Sequence, residues 1–197
     1  MNISIPIPHA IKWDYFTNYH KNCDNFSLDG GVYGLVFHPT KPEPWSQPCE
    51  FEQCVYIGKS TGSYIDRQSG SRERLRSNIH KRMIDHLTPM MSGKCVQNSH
   101  KSIVEKYGYG EDVLNGITTG LPLWLCIMTP PPVVITCGAE RVSRWALTLE
   151  QLQLYSYEMK FDHTTIGNKD AKRERKIGSF SSTRVESIME TNLERFF

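Results

Sequence analysis

The chain lacks the features that would mark it as secreted, membrane-bound or built around a metal-thiolate centre. Its six cysteines (Cys23, Cys49, Cys54, Cys95, Cys126 and Cys137) form no C-x-x-C pair. The strongest zinc and dithiol signatures are therefore missing, and free, small, partly buried thiols are expected. Cys49 and Cys54, with His38 nearby, could hold zinc in principle, but their spacing fits no strong template. No apolar run reaches the length needed to span a bilayer. The most apolar stretch, LPLWLCIMTPPPVVITC, is broken by three prolines at residues 130–132. The opening MNISIPIPHAIKWDYF has no basic end followed by an apolar run, so it does not read as a secretory signal and a cytoplasmic protein is expected. Internal repeats are lacking, and so is a large charge of either sign, the net value being +2 over 197 residues.

What is present is an ordinary globular composition, enough for one domain with extensions. The charge is small in sum but uneven. Residues 66–82 hold six Lys/Arg against Asp66 and Glu73, and residues 168–184 hold six against Asp170 and Glu174. Such blocks suit a phosphate backbone, although a charged block taken alone is more often a solvated face.

Three strands are expected. GVYGLVFH and CVYIG are short, rich in Val, Tyr and Phe and bounded by glycine, and LPLWLCIMT reads as a buried third. The first two are joined by PTKPEPWSQPCEFEQ, whose four prolines suggest a long, exposed hairpin connection. Helices are expected over residues 71–87, around SHKSIVEKYG from Ser99, and over AERVSRWALTLEQLQLYSYEMK. The order β-β-α-α-β-α implies an α+β layer domain in which a small three-stranded antiparallel sheet is flanked by helices. Residues 1–29 read as an extension packed on that domain. Residues 166–197 read as a basic linker followed by a short amphipathic helix, with Val185, Ile188, Met189, Leu193 and Phe196 at helical spacing and Thr183 and Glu186 as a capping box.

Some polar residues fall on faces that should be apolar. On the helix over residues 71–87, Arg82 and His86 share a stripe with Leu75, Ile79 and Met83. Arg72, Arg76 and His80 lie towards its flank. A cation on such a stripe costs free energy unless it is paired or lines a wet pocket. Glu150, on the long helix, lies in line with Ala146, Leu147, Leu154 and Tyr157. A metal ion, or Arg82 opposite it, would resolve that conflict; a purely structural Arg82–Glu150 salt bridge is the competing reading. The residues alone thus describe a tyrosine-bearing sheet facing two helices that contribute Arg, His and Glu.

The tripeptides GVY (residues 31–33) and YIG (residues 56–58) resemble the two signature strands of the GIY-YIG nucleases. RMIDH is similar to that family's Arg followed one turn later by His or Tyr, and LTLEQLQLY to its helix bearing a metal-binding Glu. The resemblance covers roughly residues 30–165, which are expected to be the catalytic domain. It implies a three-stranded antiparallel sheet flanked by helices and metal-dependent, site-specific cleavage of double-stranded DNA. The catalytic set it implies is Tyr33, Tyr56, Arg82, His86 and Glu150, supported by Gly31, Gly58 and Lys59, with Glu150 holding Mg²⁺ or Mn²⁺. Arg82 would grip the phosphate in its planar fork. Tyr33 would orient or deprotonate the water, which requires nearby cations to lower a phenol pKa of about 10, Lys59 and Arg82 being the candidates. Tyr56 would hydrogen-bond within the site, and His86 would relay a proton or bind phosphate. Arg72, Arg76 and Lys81, with Lys172, Arg173, Arg175 and Lys176 of the linker, would contact DNA. The linker and tail helix could equally be a packing or dimer element.

The chain departs from the family pattern in two places. The insert between Tyr33 and Tyr56 is longer than usual, and the position of the family's loop-supporting Asn is occupied by Asp162, with Asn168 a few residues late. A restriction-type member would need a homodimer to cut both strands, whereas a homing or phage-type member would act as a monomer. A non-cleaving nucleic-acid-binding module on the same fold and an RNA-processing nuclease are the alternatives.

Overall fold

The computed structural model describes residues 6–17, 29–62, 79–93, 98–137 and 139–169. They form β1 (Ala10–Tyr15), β2 (Asp29–Phe37), β3 (Cys54–Gly62), α1 (Ile79–Ser92), α2 (Asn98–Tyr107), α3 (Glu111–Leu114), β4 (Leu123–Thr129), α4 (Pro132–Ile135), α5 (Ala139–Phe161) and α6 (Ile166–Lys169). The class is α+β. The strands make one sheet in the order β1-β4-β2-β3, with every neighbouring pair antiparallel.

The sheet has four strands rather than the expected three. The extra one is β1, which pairs along its whole length with β4, Trp13 opposite Cys126. Its sequence gave little sign of this, because Trp13 is the one residue of AIKWDY that is fully buried. Trp13 Nε1 donates to Ser46 O at 3.0 Å, and its ring packs edge-on against Phe51. The connection containing those two residues is correspondingly less exposed than its prolines suggest. Pro48 and Cys49 are buried in a single 3-10 turn. α5 ties that turn down: Gln153 Oε1 accepts from Cys49 N at 3.4 Å, Tyr157 donates to Glu52 O at 2.7 Å, and Gln153 Nε2 donates to Gln47 Oε1.

Period-two alternation along β2 and β4 gives the sheet two buried faces. Val32, Val36, Trp124, Cys126 and Met128 pack against Val142, Trp145, Ala146, Leu149, Leu154 and Tyr157 of the α5 layer. Tyr33, Leu35, Phe37, Leu123, Leu125 and Ile127 face the other way, onto Ile79, Met83, Leu87 and Met90 of α1 and Ile103 of α2. The helices α1 and α5 therefore stand on opposite faces and do not share the tyrosine-bearing one. Arg82 and Glu150 belong to different layers.

α1 runs past its expected end at Leu87 to Ser92, with Pro89 inside it. Burial of Met90 holds that last turn on the core, and Gly93, at a φ of 67°, closes it by donating to Pro89 O at 2.8 Å. The expected start of that helix near residue 71 and the tail helix beyond residue 182 lie outside the described residues. No helix among the described residues is long and apolar enough to cross a membrane.

Candidate active site

Tyr33 and Tyr56 come from paired strands, with Tyr33 directly opposite Gly58 and Leu35 opposite Tyr56. The two rings stack at 6.0 Å between centroids. A side chain at residue 58 would destroy that arrangement, because a Cβ there would lie 2.6 Å from Cε1 of Tyr56 and 2.7 Å from the Tyr33 hydroxyl. Glycine at 58 is thus what admits both phenols. Gly31 answers a different need: a Cβ there would lie 2.5 Å from the Met128 carbonyl oxygen of the neighbouring strand. The two signature glycines serve the site and the sheet respectively.

Tyr33 is 1% exposed, and its hydroxyl lies 2.7 Å from Nε2 of His86, itself 3% exposed on α1. The ring of Tyr56 meets the His86 ring edge-on at 4.5 Å. The other His86 nitrogen, Nδ1, is hydrogen-bonded to Nε2 of His100 on α2. Both imidazole nitrogens are taken, so His86 has none left with which to bind phosphate. The stripe that put Arg82 and His86 among apolar residues predicts this inward placement of His86. Arg82, on the same helix, is half-buried, and its Nε is sealed from solvent with no hydrogen-bond partner among the described residues.

The charges around Tyr33 act in opposite directions. Burial pushes its phenol well above the ordinary value, and Tyr56 and Glu150 add to the rise, while Arg82 pulls it down. The expectation that nearby cations lower this pKa is thus only half met. Arg82 contributes as expected, Lys59 does not figure among the causes, and desolvation outweighs both. Glu150 is 7% exposed on α5 and lies within electrostatic reach of Tyr33 from the opposite layer. His86 is held neutral, its pKa lowered well below 6.5 by burial, by His100 and by Arg82. His100 is lowered to about 4 by burial, with Asp85 opposing.

The structure separates the two candidates for the supporting amide. Asp162 is exposed at the end of α5, in the left-handed region at φ 59°, where it terminates the helix. Asn168, on α6, is buried against β3. Its Oδ1 accepts from Ile57 N at 2.9 Å and its Nδ2 donates to Ile57 O at 2.8 Å. Thr165 Oγ1 also donates to Asn168 Oδ1. The carboxamide pairs with the free edge of β3 as another strand would, between Tyr56 and Gly58.

His100 is the residue that the sequence reading missed. The same test that singled out Arg82 and Glu150 would have found it, since it shares a helical stripe with Ile103, Val104 and Tyr107. Among the described residues no group of three or more His, Cys, Asp or Glu is placed to hold a metal ion. Cys54 Sγ turns to the Tyr56 carbonyl, and His38 Nδ1 lies 2.7 Å from Thr40 O. Of the expected DNA contacts, Lys81 is on α1, whereas Arg72, Arg76, Lys172, Arg173, Arg175 and Lys176 lie outside the described residues.

Comparison of the chain with protein-family models, with curated proteins and with solved structures finds no match.

Proposed function

We propose that the chain is a metal-dependent endonuclease of the GIY-YIG kind, hydrolysing phosphodiester bonds in double-stranded DNA. The observation that carries this reading is the convergence on one buried phenol. Tyr33 meets Tyr56 and His86 directly and feels both Arg82 and Glu150, although these five residues come from four elements. Phosphodiester hydrolysis needs an oriented water, neutralisation of charge on the phosphate, and help for the leaving oxygen. In this reading Tyr33 orients the water and, as phenolate, takes its proton. Arg82 carries a buried N–H without an acceptor among the described residues, which suits a phosphate oxygen supplied by the substrate.

Glu150 fits a divalent cation of the magnesium type. Such an ion takes one or two carboxylates and fills its remaining positions with water and phosphate oxygens, so it needs no cage of three protein ligands. When bound, Mg²⁺ or Mn²⁺ would neutralise developing charge on the phosphate and the leaving group. The same positive charge would offset the upward pull of Glu150 on the Tyr33 phenol. Asn168 keeps the Tyr56–Gly58 backbone in place for this work, and Gly58 leaves room for both rings.

Incubating the purified protein with supercoiled plasmid and with single-stranded RNA, with Mg²⁺ and with EDTA, tests the reading. Discrete DNA fragments that appear only with the metal are expected. Cleavage of RNA alone would redirect the assignment to RNA processing. Intact DNA that is nevertheless shifted in a gel would leave a binding module on this fold.

A further inference from the structure

We propose that His100 is a positioning residue, which holds His86 in the tautomer that donates a hydrogen bond to Tyr33. For its bearing on catalysis this rests on the nuclease reading; its geometry does not. The three side chains form a buried line, Tyr33 hydroxyl to His86 Nε2, then His86 Nδ1 to His100 Nε2. The imidazole rings lie 4.6 Å apart at 79°. His100 is 1% exposed and arrives from a separate helix, so α2 is packed where it can set the chemistry of α1.

The direction of the line follows from its far end. Nδ1 of His100 is sealed from solvent and has no hydrogen-bond partner among the described residues. Were that nitrogen protonated, a buried N–H would be stranded, which is rarer and less tolerated than a stranded lone pair. His100 therefore carries its proton on Nε2 and donates to His86 Nδ1. A neutral imidazole has one N–H, so His86 must then carry its own on Nε2 and donate it to the Tyr33 oxygen. The Tyr33 hydrogen is then left to point away from His86. In this arrangement His86 is poised to stabilise a Tyr33 phenolate, countering the burial that disfavours one. Removing His100 frees His86 to adopt the other tautomer and to act as acceptor.

The experiment records the imidazole nitrogens of the whole chain by ¹⁵N–¹H correlation spectroscopy, with His86 assigned through His86→Gln, beside cleavage assays on plasmid DNA. Wild-type protein at neutral pH is expected to show His86 protonated on Nε2 and bare on Nδ1; protonation on Nδ1 overturns the proposal. His100→Leu is expected to lose that tautomer preference and to cleave about 10- to 100-fold more slowly, the usual cost of removing a supporting partner. His100→Gln places an amide N–H where Nε2–H stood, so it should restore both the His86 signature and most of the cleavage. Equal loss of cleavage in both variants, with the wild-type tautomer kept, overturns the role of His100. Should the wild type cut no DNA, the nuclease reading fails while the spectra still decide the tautomer. Should His100→Leu not fold, the wild-type and His100→Gln spectra decide it.

Discussion

The tyrosines of the two signature strands are ordinary strand residues until their neighbours are counted. Tyr33 is buried among hydrophobic side chains, and that burial alone would keep it a neutral phenol. Arg82, the only cation among the named causes, partly opposes this, and Glu150 reinforces it. If Tyr33 works as phenolate, cleavage must speed up as pH rises from neutral, because its fraction ionised grows below a raised pKa. Rates measured across that range should climb for the wild type, and Tyr33→Phe should remove most of the activity at every pH. A flat profile, or an active Tyr33→Phe, would remove Tyr33 from the base role. The glycines separate in the same way. Gly31→Ala forces a methyl group onto the Met128 carbonyl and should lower stability by about 1–3 kcal/mol, with cleavage surviving below the melting transition. Gly58→Ala pushes instead on both tyrosine rings and should abolish cleavage where the protein is still folded. Melting curves beside cleavage assays distinguish the two.

Among the elements, α6 does the most with the fewest residues. The strand β3 is an edge of the sheet, and Asn168 satisfies both backbone groups of Ile57 there. Asn168→Leu should leave those buried groups unpaired and cost about 1–3 kcal/mol, read as a lower melting temperature; an unchanged melting temperature would show that the edge is held by other means. The α1–α2 contact carries a second expectation. His86 and His100 are both held neutral, well below the ordinary histidine value, His100 at about 4. The unfolded chain takes up protons near 6.5 while the folded one resists. Stability from this pair is therefore complete above about pH 6.5 and declines as pH falls towards 4. Asp85 moderates the effect at His100, and Arg82 strengthens it at His86. Thermal melts at pH 7.5 and 5.0 should show the drop, and His100→Gln should show a smaller one. Equal drops in both would assign the pH sensitivity to the carboxylates.

Across the molecule, what could be read in advance depended on how far apart the determining contacts lie. The strands β2, β3 and β4 and the helix α5 announce themselves by local composition and periodicity. β1 does not, because a single buried Trp13 in six residues sets no pattern, and its pairing with β4 spans most of the chain. The opposite placement of α1 and α5 was likewise hidden, since alternation along a strand shows that two faces are buried but not which helix covers which. For the site, the inward positions of His86 and Glu150 followed from helix phase alone. His100 obeys the same rule, sharing a helical stripe with Ile103, Val104 and Tyr107, but its role depends on contact with His86 from another helix, which no local pattern shows. The support given by Asn168 does not follow from a residue count starting at Glu150, because α5 ends before the turn at Asp162 and Asn168 sits beyond that turn, on α6.

The central claim is that the residues around Tyr33 form a catalytic centre and not only a folding nucleus. Its most direct test is to measure binding and cleavage of the same DNA by the wild type, Tyr33→Phe and Glu150→Ala, with Mg²⁺ present. The account predicts that both variants fold and bind DNA much as the wild type does, yet cleave it at least about 10²-fold more slowly. Folded variants that cleave at the wild-type rate would contradict it.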